Sequence, residues 1–178
     1  TAHHKAENLP KIYITDIKCH SFPYLWLPHN STQKLMRKKI ALLAGGYSGE
    51  YVISIKTAET IEKNLDSGKY DVRKIIVTRD EWYHEHNGQK IQVDKNDFSI
   101  TVEGEKTTFD CVFIAIHGTP GEDGRIQGYL DMLRIPYTTC NSIVSALTFN
   151  KSYCNKVVRA MNVVNIANSV LLLKDRKS

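Results

Sequence analysis

Two apolar runs constrain this chain more than any other feature, because each ends in a glycine-rich loop and each loop feeds a helix. Lys39 to Ala44 is followed by Gly45-Gly46-Tyr47-Ser48-Gly49-Glu50, and Cys111 to Ile116 by His117-Gly118-Thr119-Pro120-Gly121-Glu122-Asp123-Gly124. Short apolar runs bounded by Gly and Pro read as buried strands. Strands that alternate with helices predict an α/β fold: a mainly parallel sheet with flanking helices. Open sheets of that kind bind ligands beyond the carboxyl ends of their strands. Both loops therefore belong at one end of one sheet, and their polar side chains point to one shared site.

The remaining pattern fills in the layers. Glu50–Leu65 reads as a helix whose apolar stripe is Val52, Ile55, Ala58, Ile61 and Leu65. Val72–Val77 reads as a second strand with Ile75, Ile76 and Val77 buried. Trp82–His86 and Lys90–Val93 flank Asn87-Gly88, a strong hairpin signal. Phe98–Val102 and Lys106–Thr108 flank Glu103-Gly104-Glu105, a second hairpin, and both hairpins belong at one edge of the sheet. Arg125–Leu133 reads as a helix and Pro136–Thr138 as a short strand. Asn141 or Ser142 caps a helix through Leu147, and Lys151–Met161 is another helix. Val163–Ile166 is irregular, and Ser169–Leu173 reads as an apolar strand.

Composition sets the outer limits. A chain of 178 residues, 42% of them apolar, holds one good-sized domain, or one domain and part of another. No run reaches the roughly 18 apolar residues that span a bilayer, so no membrane partner is expected. The charge is uneven. Residues 1–35 carry four basic and two acidic side chains, residues 36–150 carry 14 and 16, and residues 151–178 carry six and one. The middle, where the loops lie, is not a nucleic-acid footprint. The basic end suits either a polyphosphate ligand or a solvated helix face. Cys19, Cys111, Cys140 and Cys154 form no CxxC pair and no zinc-ligand spacing with a His, which points to a reducing, cytoplasmic compartment. Cys111 reads as a small apolar residue of its strand. Residues 1–35 look unlike the rest, with four of the seven His and no sustained period. His3-His4 reads as a tag remnant, linker or translated upstream sequence rather than a metal site. Met36 reads as a natural start, which would make residues 1–35 foreign to the fold.

Several side chains carry two readings each. Gly45-Gly46 either aims N–H groups at an anion near a helix N-terminus or serves only a tight strand–helix turn. No GxGxxG and no Walker A pattern is present, which argues against a dinucleotide oxidoreductase. Glu50, in the first helical turn, either favours the helix dipole or accepts a substrate ammonium group. His117 is either a hydrogen-bonded link between loops or a ligand contact. Glu122 and Asp123 bind metal or cap the helix that begins near Gly124, with capping the better role for Asp123. Lys151 is either a surface residue or a cation that reaches phosphates.

Three ordered segments resemble the D-alanine–D-alanine ligase family of the ATP-grasp superfamily. Ala44 to Ser54 matches its GG-x-S-x-E-x-x-x-S loop. Ile116-His117-Gly118, with Gly121-Glu122-Asp123-Gly124, Gln127-Gly128 and Leu130, matches its HG-x-x-GEDG-x-x-QG-x-L motif. Ile135-Pro136-Tyr137-Thr138, with Ser145-Ala146-Leu147 and Lys151, looks like its IPYTG…SAL…DK segment. The resemblance runs from Met36 to Leu173. It departs at Thr139-Cys140, where the family has Gly and a small residue, at Asn150, where it has Asp, and at Asn155, where a second basic residue is common.

The resemblance implies an enzyme of peptidoglycan synthesis that uses ATP and Mg2+, with Mn2+ as a substitute, to join two D-alanines through an acyl phosphate. Residues 36–139 would form the N-terminal substrate-binding domain, and 140–178 the beginning of the central ATP-grasp domain. Glu50 would orient the ammonium group of the first D-alanine, and His117 would hold the same substrate. Gly45, Gly46 and Ser48 would line its site, and Lys151 would contact nucleotide phosphates. No metal ligands are implied within this chain, and a homodimer is compatible with the family. The alternatives are a non-catalytic small-ligand-binding α/β module and another ATP-grasp ligase; the paired GEDG and GG-x-S-x-E loops argue against the second. The resemblance also implies a longer protein, with most of the ATP site beyond Ser178. The chain alone is therefore expected to release no ADP in response to D-alanine, and a coupled assay that finds D-alanine-dependent ADP release would overturn this.

Overall fold

The computed structural model of the protein describes residues 37–172. The expectations for residues 1–35, for Met36 as a start, for Cys19 and for Leu173 lie outside the described residues.

Strand β1 (Lys38–Gly45), helix α1 (Tyr51–Asn64) and strand β2 (Tyr70–Val77) form a βαβ unit. β1 and β2 pair in parallel from Lys38 opposite Tyr70 to Gly45 opposite Val77. β3 (Trp82–His86) and β4 (Gln89–Gln92) add an antiparallel hairpin to the free side of β2. β5 (Ile100–Val102) and β6 (Glu105–Thr107) make a separate two-stranded ribbon. β7 (Cys111–Ile114) returns to the other side of β1, again in parallel. The sheet order is β4-β3-β2-β1-β7. Helices α2 (Arg125–Leu133), α3 (Ser142–Phe149) and α4 (Lys151–Met161) follow.

β1 is central because its sequence leaves it no other place. Ile40 to Ala44 are all 1% exposed or less, so both faces of the strand are covered. Ala41 and Leu43 join Ile75, Val77, Val112 and Ile114 on the face that packs against Ile126 and Leu130 of α2 and against Phe98 and Ile100. Leu42 and Ala44 join Ile76 and Ala58 of α1 on the other face. A strand buried on both sides reads as a continuous apolar run, as this one does. Below the first face, Trp82 meets Tyr129 and Phe98 edge-on at 5.4 and 6.4 Å between ring centroids. This aromatic cluster fixes the ribbon and α2 to the sheet.

Both hairpins are tighter than a loop of three. Asn87 and Gly88 have φ of 50° and 75°, and Glu103 and Gly104 have 52° and 84°. Positive φ at both central residues is the type I′ geometry that matches strand twist. Glu105 consequently belongs to β6 and pairs with Val102. Asn141 caps α3 by accepting from the Val144 amide at 2.9 Å, and Asn150 caps α4 by accepting from the Tyr153 amide at 3.2 Å.

Four expectations are corrected. Only the β3–β4 hairpin lies at an edge of the sheet; the second hairpin, expected beside it, is the separate β5–β6 ribbon. Val52 is 61% exposed and does not belong to the apolar stripe of α1. The inner face is Ser54 and Ala58, with Tyr51, Ile55 and Ile61 packed beside them. At about 100° per residue, Val52 stands roughly 120° from Ala58. Pro136–Thr138 is a single parallel bridge, Val112 to Tyr137, rather than a strand. Pro136 has no N–H to extend the ladder; it only accepts, from the Val112 amide at 2.8 Å. Ser169–Leu172 forms no strand, because no neighbouring strand takes up its backbone groups among the described residues. No helix among the described residues is long and apolar enough to cross a membrane.

Burial among these rings pushes the Tyr129 phenol up to about 12, from an ordinary 10.0. The folded chain thus holds that proton more tightly than the unfolded chain does. The resulting stability is complete below pH 10.0 and is lost as the pH rises towards about 12. Tyr129→Phe should flatten that share of the alkaline loss. Denaturant unfolding of both proteins across this range checks it, and identical pH slopes would refute it.

Candidate functional site

Because β1 and β7 are parallel neighbours, their carboxyl ends deliver the two loops side by side. Tyr47 N–H donates to Thr119 O at 2.8 Å, and Ser48 Oγ donates to His117 O at 3.1 Å. Gly46 makes this approach possible. Its φ is +107°, and a Cβ there would lie 2.8 Å from Ile116 Cγ2 and 3.1 Å from Thr119 O. Gly118, at φ +70°, plays the same part opposite, since a Cβ on it would lie 2.8 Å from Ser48 Oγ and 3.2 Å from Glu50 Oε2. The Glu50 carboxylate therefore lies against the backbone of the second loop.

The anion reading of Gly45-Gly46 is not what the backbone does. Gly45 N–H donates to Ser54 Oγ at 2.9 Å, and Gly46 N–H donates to Val77 O at 2.8 Å. Both amides are engaged inside the fold, because Gly45 still belongs to β1 and Gly46 lies just past its end. The glycines serve the turn. Glu50 also sits one position outside the expected helix: it is the N-cap residue of α1, and its side chain makes no capping bond. Its amide donates to Ser48 Oγ at 3.2 Å, and its carboxylate is exposed.

His117 is half-buried, with Nε2 3.0 Å from Thr57 Oγ1. The structure thus brings Gly45, Gly46, Ser48, Glu50 and His117 together at one end of the sheet. Lys151 stands apart from them. It opens α4 and borders a cleft of about 330 Å³ with Gly121, Glu122, Gln127, Thr139 and Cys140. The second loop is therefore a shared wall, with Gly118 beside the Glu50 carboxylate and Gly121 and Glu122 bordering the cleft of Lys151.

The acids of that loop are local fasteners. Glu122 Oε2 accepts from Gly118 N–H at 3.0 Å. Asp123 accepts from Thr119 Oγ1 and, at 3.3 Å, from the Arg125 amide, while Gly124 is the N-cap residue of α2 and that helix has no side-chain capping bond. Among the described residues no group of three or more His, Cys, Asp or Glu side chains could hold a metal ion. Cys111, Cys140 and Cys154 form no disulfide among the described residues, and Cys111 packs as a small apolar group beside Ile40 and Leu65.

Three residues have structural roles that the sequence does not assign: Ser54 and Gln127 stand there only as motif letters, and Thr57 not at all. Ser54 is fully buried and donates to Ala115 O at 2.8 Å while accepting from Gly45. Thr57 reaches the imidazole of His117. Gln127, also fully buried, donates from Nε2 to Gly121 O at 2.6 Å and to Thr139 Oγ1 at 3.1 Å. The available signal was a hydroxyl at 54 and another at 57, three apart on the side of α1 that carries Ala58.

The family model described as D-ala D-ala ligase N-terminus matches residues 39–140, a span that contains both loops. The chain belongs to the D-alanine–D-alanine ligase family. The D-alanine–D-alanine ligase of Parabacteroides distasonis is 49% identical over 140 residues, which cover 78% of this chain and 42% of that protein. The chain thus spans under half the length of this curated relative. Among solved structures, D-alanyl-alanine synthetase A from Vibrio cholerae superposes with a TM-score of 0.65 at 32% identity, covering 72% of this chain and 39% of that one. A Bacillus anthracis D-alanine–D-alanine ligase complexed with ATP superposes at 0.53 with 30% identity, covering 71% and 38%. In this family member the motif serine at 54 is a backbone clip, and the motif glycines make room.

Replacing Ser54 by Ala leaves the Gly45 N–H and the Ala115 carbonyl buried without that partner. A loss of about 1–3 kcal/mol in unfolding free energy is expected. Equal denaturation midpoints for the two proteins would show that the clip contributes nothing.

Proposed function

We propose that this chain carries the first-substrate site of an ATP-dependent ligase that joins two D-alanines into D-alanyl-D-alanine for peptidoglycan synthesis in the cytoplasm. The observation that carries this reading is the Glu50 carboxylate lying against Gly118, on loops clasped beside His117. D-Alanine is a zwitterion. Its ammonium group needs an anionic acceptor, which Glu50 supplies, and its carboxylate needs a donor, which the imidazole of His117 supplies. Gly45 and Gly46 let the loops close on so small a ligand, and Ser48 ties them. The relatives from Parabacteroides distasonis and Azobacteroides pseudotrichonymphae, both named D-alanine–D-alanine ligases, support the same substrate.

ATP, when bound, supplies the phosphoryl group that activates the first D-alanine. Lys151 suits its phosphates: it is an exposed cation at the mouth of a cleft, and positive charge there offsets the repulsion between polyphosphate and carboxylate. The relative solved with ATP supports this role for the nucleotide. Mg2+, or Mn2+ in its place, would arrive with the nucleotide; among the described residues no group of three or more His, Cys, Asp or Glu side chains could hold it. On this reading residues 36–139 are the substrate domain, and 140–178 begin the ATP-grasp lobe through α3 and α4. A homodimer is compatible with this reading, which involves neither nucleic acid nor a membrane partner.

Titrating the chain with D-alanine, by calorimetry or by amide shifts, tests the reading. Glu50→Gln and His117→Ala should each weaken binding about tenfold or more, since a hydrogen bond to a charged group contributes about 1.5–3 kcal/mol. D-Alanine affinity unchanged in Glu50→Gln would sink it.

A further inference from the structure

Three hydroxyls from one stretch of chain grip the end of β7. Ser54 Oγ donates to Ala115 O at 2.8 Å, and Ser48 Oγ donates to His117 O at 3.1 Å. Thr57 Oγ1 lies 3.0 Å from His117 Nε2. The first two hold main chain. The third alone reaches a side chain, and that side chain is the imidazole at the site.

The other helical threonines show what Thr57 gives up. Thr60 and Thr148 turn back onto the carbonyls of Lys56 and Val144, four residues earlier, at 3.0 and 2.9 Å. This is the usual local bond of a hydroxyl in a helix. Thr57 aims at the ring instead. A neutral imidazole has one N–H donor and one bare acceptor nitrogen, and the bond made by one nitrogen decides which form is present. If Nε2 carried the proton and donated to Thr57, the hydroxyl hydrogen would need another acceptor. None is bonded to it among the described residues. If the hydroxyl donates to a bare Nε2, one bond satisfies both groups.

We propose that Thr57 is a positioning residue for His117: its hydroxyl donates to Nε2, orients the ring and selects the form protonated at Nδ1. Nδ1–H is then the donor left for a substrate. This rests on the reading of His117 as a contact for the carboxylate of the first D-alanine, and it assigns the nitrogen that makes that contact.

Nitrogen-15 spectra of the imidazole of His117 in the 178-residue chain, at a pH where the ring is neutral, test this directly. The wild type should show the Nδ1-protonated form, and a ring protonated mainly at Nε2 would overturn the proposal before any variant is made. Thr57→Val, close to isosteric, should shift the ring towards Nε2–H and weaken D-alanine binding about tenfold, as loss of a donor to a carboxylate predicts. Thr57→Ser should restore both readouts. An unchanged ring in Thr57→Val overturns the proposal. A shifted ring with unchanged D-alanine affinity upholds the role of Thr57 and overturns the assignment of His117 to the substrate.

Discussion

The hydroxyl of Ser54 is the point on which the functional end of the molecule depends. The β1–β7 ladder stops at Leu43 opposite Ile114, with the Ala115 amide still bonded to Leu43 O at 2.9 Å. Beyond that the two strands must diverge if loops are to leave them. Divergence strands backbone groups in the core, where an unpaired donor or acceptor is costly. Ser54 takes up one from each strand, the Gly45 N–H and the Ala115 carbonyl. The sheet can therefore end without a penalty at the place where the loops begin to separate.

The same clip fixes the start of α1. Ser54 lies in its first turn, so the helix cannot slide along the sheet without breaking two buried bonds. Ala58, one turn later, has no exposed surface and lets the helix lie close over Leu42 and Ala44. Glu50, Ser48 and Thr57 are carried on either side of this anchor. Their positions at the site follow from packing beneath it, and the opposite face, with Trp82, Phe98 and Tyr129, keeps the sheet from flexing under them.

Much of this was legible in the sequence, for identifiable reasons. Lys39 to Ala44 reads as a strand because it is a short apolar run bounded by glycine, and Asn87-Gly88 is a strong hairpin signal. The two glycine-rich loops announced a shared end of the sheet. What was hidden had to do with polar groups used inside. Val52 is apolar and so fits a stripe on α1, whereas the inner face holds Ser54, whose hydroxyl is wanted there by two backbone groups. The amides of Gly45 and Gly46 looked available because a sequence does not show that Val77 O and Ser54 Oγ stand opposite them. Pro136 and Ser169–Leu172 carry strand-like composition, but composition does not supply a neighbour with matching hydrogen bonds. Thr57 was invisible for a similar reason: its partner is 60 positions away.

The loop from His117 to Gly124 is braced within itself, Glu122 holding Gly118 and Asp123 holding Thr119. A segment tied in this way moves as a stiff piece. One of its sides faces Glu50 and the other faces the cleft of Lys151. Two clefts with one partition cannot be altered separately: a substitution in these eight residues reaches both walls at once.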